Sequence, residues 1–214
     1  MKYSLKLTDV NNSIKKEILN AMKQHLHKVF IKAVASLSNT MKPLIINALK
    51  QEPEYSSLMR GRLRLELGIP DTSNVDKVIE QLANTLNISY SPIQATSNAL
   101  SGNIKITLMQ SSDLGGVIYE DIAMVTDEKN GYSLPWLEWL LLKGNSPIIK
   151  GYSVKFGNNS NSRTGDAIMV SSNSSWRVPT EFVGSQTDNW TTRALAQIED
   201  KIMNLIQSSI EDNI

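Results

Sequence analysis

The chain contains no cysteine, so neither disulfides nor thiolate metal sites hold it together, and its redox compartment is left open. Histidine is almost as scarce, with only His25 and His27. Two positions apart on a helix, they point in different directions, which is wrong for joint metal binding. Cys/His pairs are therefore excluded, and Ser-His-Asp triads are disfavoured because no histidine follows residue 27. The patterns GxxxxGK[ST], GxGxxG and GxSxG are all missing. No uninterrupted apolar run approaches the roughly eighteen residues that would span a bilayer. Met1–Val10 lacks the apolar core of a secretory signal, which predicts a product that stays in the cytosol. Phenylalanine occurs three times, whereas all four tryptophans (Trp136, Trp139, Trp176, Trp190) fall in one stretch, Leu134–Ile210.

The remainder is ordinary for a folded domain: 214 residues, 41% hydrophobic, net charge +1. The charge is unevenly spread. Met1–Arg64 carries nine Lys and three Arg against four acids, a net of +8, and Leu65–Ile214 carries a net of −7. Such halves either interleave as solvated faces or present unlike surfaces suited to head-to-tail contacts that close a ring. The expected organisation is one α+β domain over 1–214, mainly helical over 1–87, strands and loops over 88–186, and a C-terminal helix over 187–214.

Asn12 or Ser13 can cap a helix in which Ile14, Ile18, Met22, Leu26, Phe30, Ala33 and Leu37 recur at helical spacing, with Lys15, Lys16, Lys23, Lys28 and Lys32 on the other face. Pro43 cannot donate to the ladder, so the helix either ends in Ser38–Lys42 and restarts or kinks there. Pro53 opens a second helix, with Glu54 favoured in its first turn by the helix dipole. It runs to Gly68, although alternating Leu63, Leu65 and Leu67 leave a strand over Arg62–Leu67 in competition. Arg60, Arg62 and Arg64 form the densest basic cluster, suited to phosphates, an acidic partner or neighbouring acids. Ser73 or Asn74 caps a third helix with the stripe Val75, Val78, Ile79, Leu82 and Leu86, ended by Asn87.

Strands are expected at Ile88–Ile93, Asn103–Gln110 and Val117–Val125, with Gln94–Gly102 a polar loop. Asp127–Gly131 contains Asn-Gly and reads as a tight turn. Pro135–Leu142 is a strand or, preferably, a short buried helix ending at Gly144. Ile148–Phe156 and Ala167–Ser171 read as strands joined by an exposed Asn/Ser-rich loop, Gly157–Asp166, that carries Arg163. Thr187 or Asp188 caps a last helix whose apolar face includes Trp190, Ala194, Ile198, Ile202, Leu205 and Ile210. A hydrolase could use carboxylates such as Glu120, Asp121 or Glu138, although the adjacent acidic pairs Glu120-Asp121 and Asp127-Glu128 read better as solvated turns. Trp136, Trp139 and Trp176 serve either as core or as interface anchors, because Trp buries much area with few rotors.

Three pieces carry a family resemblance. They are the long N-terminal helix leading into Leu58–Ile69 (LMRGRLRLELGI), Leu134–Gly144 (LPWLEWLLLKG), and Ser162–Met169 followed by Trp176–Leu195 and a final helix. Together they resemble the tail-completion or neck proteins, including tail-terminator-like proteins, of long-tailed bacteriophages. The resemblance implies an antiparallel sheet flanked by a long N-terminal helix and a C-terminal helix. It also implies a homo-oligomeric ring, commonly a hexamer, at the head–tail joint of the virion, made in the host cytoplasm. Its partners would be connector- or portal-side and tail proteins, with genomic DNA in the lumen, and it would need no cofactor, metal, small-molecule ligand, membrane or catalysis. Arg163, Trp176, Arg177, Trp136, Trp139, Trp190 and Arg193 would then face neighbouring subunits, and Arg60, Arg62 and Arg64 an acidic partner or the lumen. A baseplate or tail-tube subunit and a virion-associated hydrolase are the competing readings.

Overall fold

A computed structural model describes residues 2–6, 12–96, 99–127 and 131–214. The protein is α+β, with a long N-terminal helix, C-terminal helical segments and small antiparallel sheets. It divides into two compact units. One comprises Met1–Pro43, Leu86–Leu108 and Glu199–Ile214; the other comprises Leu44–Thr85 and Met109–Ile198.

In the first unit, strand β1 (Lys2–Lys6) precedes helix α1 (Asn12–Gln51), whose residues beyond Pro43 belong to the second unit. The helix passes through Pro43 without ending. Its buried stripe is Leu19, Val29, Phe30, Ala33, Leu37, Met41, Ile45 and Leu49, whereas Ile14 and Ile18 are exposed and Lys15 lies half-buried on the apolar side. Over one eighteen-residue window α1 reaches a mean hydropathy of 1.3, enough by length and composition to cross a membrane, and 33% of that window is buried in the chain. The averaged composition reaches what no uninterrupted run does. Leu37, Met41 and Ile45 are buried while Ser36, Asn39 and Thr40 are exposed, the one-sided pattern of a core-facing helix.

Strands β2 (Asn87–Tyr90), β3 (Gln94–Ala95) and β4 (Ala99–Thr107), which belong to the first unit, form with β1 an antiparallel sheet of order β1-β4-β2. Because β1 covers one edge of Ala99–Asn103, β3, which pairs Leu100 and Ser101, lies end to end with β2 along the other. The expected loop Gln94–Gly102 is thus partly strand; its residues 97 and 98 lie outside the described ones. Phe30 meets Tyr90 edge-on at 6.2 Å, joining helix to sheet.

The second unit continues from α1 into α2 (Pro53–Arg60), α3 (Arg62–Leu67) and α4 (Ser73–Asn84). Helix prevails over strand at Arg62–Leu67, but Gly61 breaks the segment in two, and Gly68 ends α3 in the left-handed conformation (φ 68°). Thr72, not Ser73 or Asn74, precedes α4, and the Asp71 carboxylate accepts from Ser73 N at 2.9 Å. The helix stops at Asn84, three residues before Asn87, which opens β2.

Ser111–Ile118 is a helix, α5, rather than the start of a strand. Gln110 N donates to Asp113 Oδ2 at 3.2 Å, and Leu114, Val117 and Ile118 are buried at helical spacing. Only β5 (Met124–Asp127) survives from the predicted strand, pairing antiparallel with β6 (Tyr132–Pro135). Of the turn between them, residues 128–130 lie outside the described ones. The short helix α6 (Trp136–Leu141) follows, then β7 (Ile149–Phe156) and β8 (Ala167–Trp176), a hairpin with an irregularity beside Gly151. β8 runs five residues beyond the expected end at Ser171.

The last helix is two, α7 (Trp190–Gln197) and α8 (Glu199–Glu211), the latter in the first unit. Its cap is Asn189, not Thr187 or Asp188: the Asn189 side chain accepts from Thr191 N at 2.9 Å and Thr192 N at 3.0 Å.

Candidate functional site

The second unit concentrates its unusual chemistry in two places. The first is a cleft of about 790 Å³ lined by α3, the β5–β6 hairpin and the β7–β8 hairpin. Its walls are apolar (Val125, Leu134, Ile149, Val154, Met169), and its rim carries Tyr132, Tyr152, Asp127 and Arg163. Arg163 pairs with Asp127 at 3.5 Å across this rim, and Tyr132 is 77% exposed. A smaller recess of about 430 Å³ shares Glu66, Val154 and Trp176 with it.

Glu66 stands at this shared floor, 6% exposed. Arg62 Nε donates to its Oε1 at 2.6 Å. Neither the other carboxylate oxygen nor the indole N–H of Trp176 completes a hydrogen bond, though the indole lies near enough to favour the charged carboxylate. Burial pushes the Glu66 carboxyl up, and Arg62 only partly opposes it.

The second place is a buried acidic pair. Glu52 and Glu54 are 3% and 0% exposed at the α1–α2 junction. Arg193 on α7 binds Glu54 Oε1 through Nη2 and Asp188 Oδ1 through Nη1, the latter at 2.6 Å. Gln197 Nε2 donates to Glu52 Oε1 at 2.6 Å, and Glu54 Oε2 is left without a partner. Burial raises the Glu52 carboxyl, the neighbouring Glu54 charge adds to this, and Arg193 works against it.

Comparison with family models, with curated proteins and with solved structures finds no match to this chain.

The three arginines of the sequence cluster do not converge. Arg60 is exposed at the end of α2, Arg62 is held by Glu66 and lies 3.9 Å from Glu181, and Arg64 Nε donates to Ile69 O at 3.4 Å. The tryptophans turn mostly inward. Trp136, Trp176 and Trp190 are 1%, 6% and 0% exposed, so in the isolated chain they fill its own interior instead of offering a surface anchor. Trp190 Nε1 donates to Leu49 O at 3.0 Å. Trp139 is half-buried with an unpaired indole N–H. Arg177 is exposed and donates to Asn145 O at 3.1 Å.

The carboxylates named for hydrolysis are dispersed. Glu120 and Asp121 are exposed on a turn, whereas Glu138 is buried and accepts from Tyr119 Oη at 2.9 Å with Lys143 at 3.3 Å. That bond pushes the Tyr119 phenol up. None of the three lines either cleft. His25 bonds Ile214 O at 3.2 Å and His27 stacks edge-on against Tyr90. Among the described residues no group of three His, Asp or Glu is placed to hold a metal.

Sequence reasoning missed Glu66 and the Glu52–Arg193 network. Acidic residues in two short helices carry no pattern of their own; only their burial singles them out.

Proposed function

We propose that the protein is a structural subunit that assembles with its own copies into a ring, hexameric in form. Its place would be the head–tail joint of a long-tailed bacteriophage, as a neck, tail-completion or tail-terminator protein. The observation that carries the ring is the β7–β8 hairpin. Among the described residues β7 and β8 pair only with each other, leaving an open edge on each strand, and Tyr152 and Phe156 are 41% and 49% exposed. A two-stranded ribbon with half-exposed aromatics gains most from further covering by another chain.

The enzyme reading draws less support. Among the described residues each buried carboxylate is engaged by a cation, phenol or amide of its own unit. Virion position rests on the sequence resemblance. Mass photometry of the purified chain tests the ring: a discrete oligomer growing with concentration is expected, and a lone subunit at every concentration overturns the reading. Labelling of purified particles tests the position, with signal expected at the head–tail joint.

A further inference from the structure

The apolar cleft of the second unit has the size and make-up of a small-ligand site: about 790 Å³, walled by side chains such as Val125, Leu134, Ile149 and Met169. The charged groups that line it are already paired. Glu66 Oε1 accepts from Arg62 Nε at 2.6 Å, and Asp127 meets Arg163 at 3.5 Å. The cleft therefore calls for no charge on a ligand. Tyr132 and Tyr152 hold aromatic rings at its mouth, 77% and 41% exposed, where an aromatic body can stack.

Two polar atoms at the floor are unmet. Glu66 Oε2 and Trp176 Nε1 find no hydrogen-bond partner among the described residues, and both residues are 6% exposed. Both line the cleft, and the indole lies near enough to the carboxylate to favour its charged form. One atom is an acceptor and the other a donor, and each gave up water on folding without replacing it. Neither is open to bulk solvent, so only a compact head reaches them. That head has to donate to the carboxylate and accept from the indole. A hydroxyl does both, whereas an ammonium cannot accept and an ether cannot donate.

We infer that the cleft binds a neutral apolar ligand carrying one hydroxyl, a phenol by class, with the hydroxyl set between Glu66 Oε2 and Trp176 Nε1 and the body against the aliphatic walls. Arg62 is the positioning residue: by holding Oε1 it leaves Oε2 as the oxygen offered to the ligand. The hairpin contributes its cross-strand pairs Val154–Met169 and Ile149–Trp176 to the walls. This site goes beyond the ring reading and does not rest on it, since every residue it uses belongs to the second unit.

Saturation-transfer NMR with 4-ethylphenol and its methyl ether, 4-ethylanisole, tests it on the unaltered protein. The phenol should bind at least about tenfold more tightly, because it alone donates to the carboxylate. Glu66→Leu should bring that ratio down to about one, the signature of a lost pairwise contact. Leu134→Trp, which fills the cleft, should abolish binding of both. Thermal melting checks that each variant is folded, and where one is not, the phenol-to-ether ratio on the wild type still decides. Equal affinities for phenol and ether, phenol binding that survives a folded Leu134→Trp, or no binding at about 1 mM phenol overturns the site. None of these readouts depends on whether copies assemble.

Discussion

Arg193 and Glu54, 139 positions apart in the chain, form an ion pair in which the carboxylate is wholly buried and the guanidinium 30% exposed. A charge so placed is tolerable only while its partner stays. Arg193→Met should therefore destabilise by about 2–4 kcal/mol, the lower end reflecting the partly solvated guanidinium. Urea denaturation measures this. Glu54→Leu combined with Arg193→Met should recover most of the loss, since the desolvated charge is then gone.

The pH dependence follows from Glu52, whose carboxyl burial holds above its ordinary 4.5. The folded state keeps this proton to higher pH than the unfolded chain, so the group favours folding at low pH, and that contribution is lost as pH rises from the unfolded value through the folded one. Glu52→Gln retains the acceptor for Gln197. It should stabilise the protein at pH 7–8 and leave it nearly unchanged below the unfolded value, as followed by thermal melts across pH.

Gly184 has no room for a side chain. A Cβ there would stand 1.6 Å from Leu140 O, and the same residue exchanges backbone bonds with Trp139 and Gly144. Gly184→Ala should cost more than about 3 kcal/mol or prevent folding, read as loss of soluble protein or a lowered melting temperature.

Trp190→Phe keeps an aromatic ring but strands the Leu49 carbonyl, which now accepts from the indole. A buried carbonyl without a partner, together with the smaller ring, should cost about 1–3 kcal/mol in chemical denaturation.

How far the sequence foretold these arrangements depends on the range of the forces involved. Trp136–Leu141 declared itself, because proline at its start and apolar residues around the turn agree with a buried helix. The Ile149–Phe156 and Ala167–Trp176 hairpin declared itself through strands bounded by an Asn/Ser-rich loop. Ser111–Ile118 did not, since two adjacent glycines argue against a helix and only its tertiary burial outweighs them. The long final helix was broken at Ile198, where the apolar stripe continues while the backbone does not. At the candidate site the limit is sharper. Arg62 was visible as a cation, but its partner Glu66 and the neighbouring Trp176 come together only through packing of α3 against β8.

The exposed lysines of β7, Lys150 and Lys155, have a consequence for its open edge. Two copies approaching along their β7 rims would crowd ammonium groups together, so these identical edges repel even though their backbones could pair. A β7 ladder that rejects its own likeness can remain exposed in a concentrated pool of subunits without zipping to the same strand of another copy.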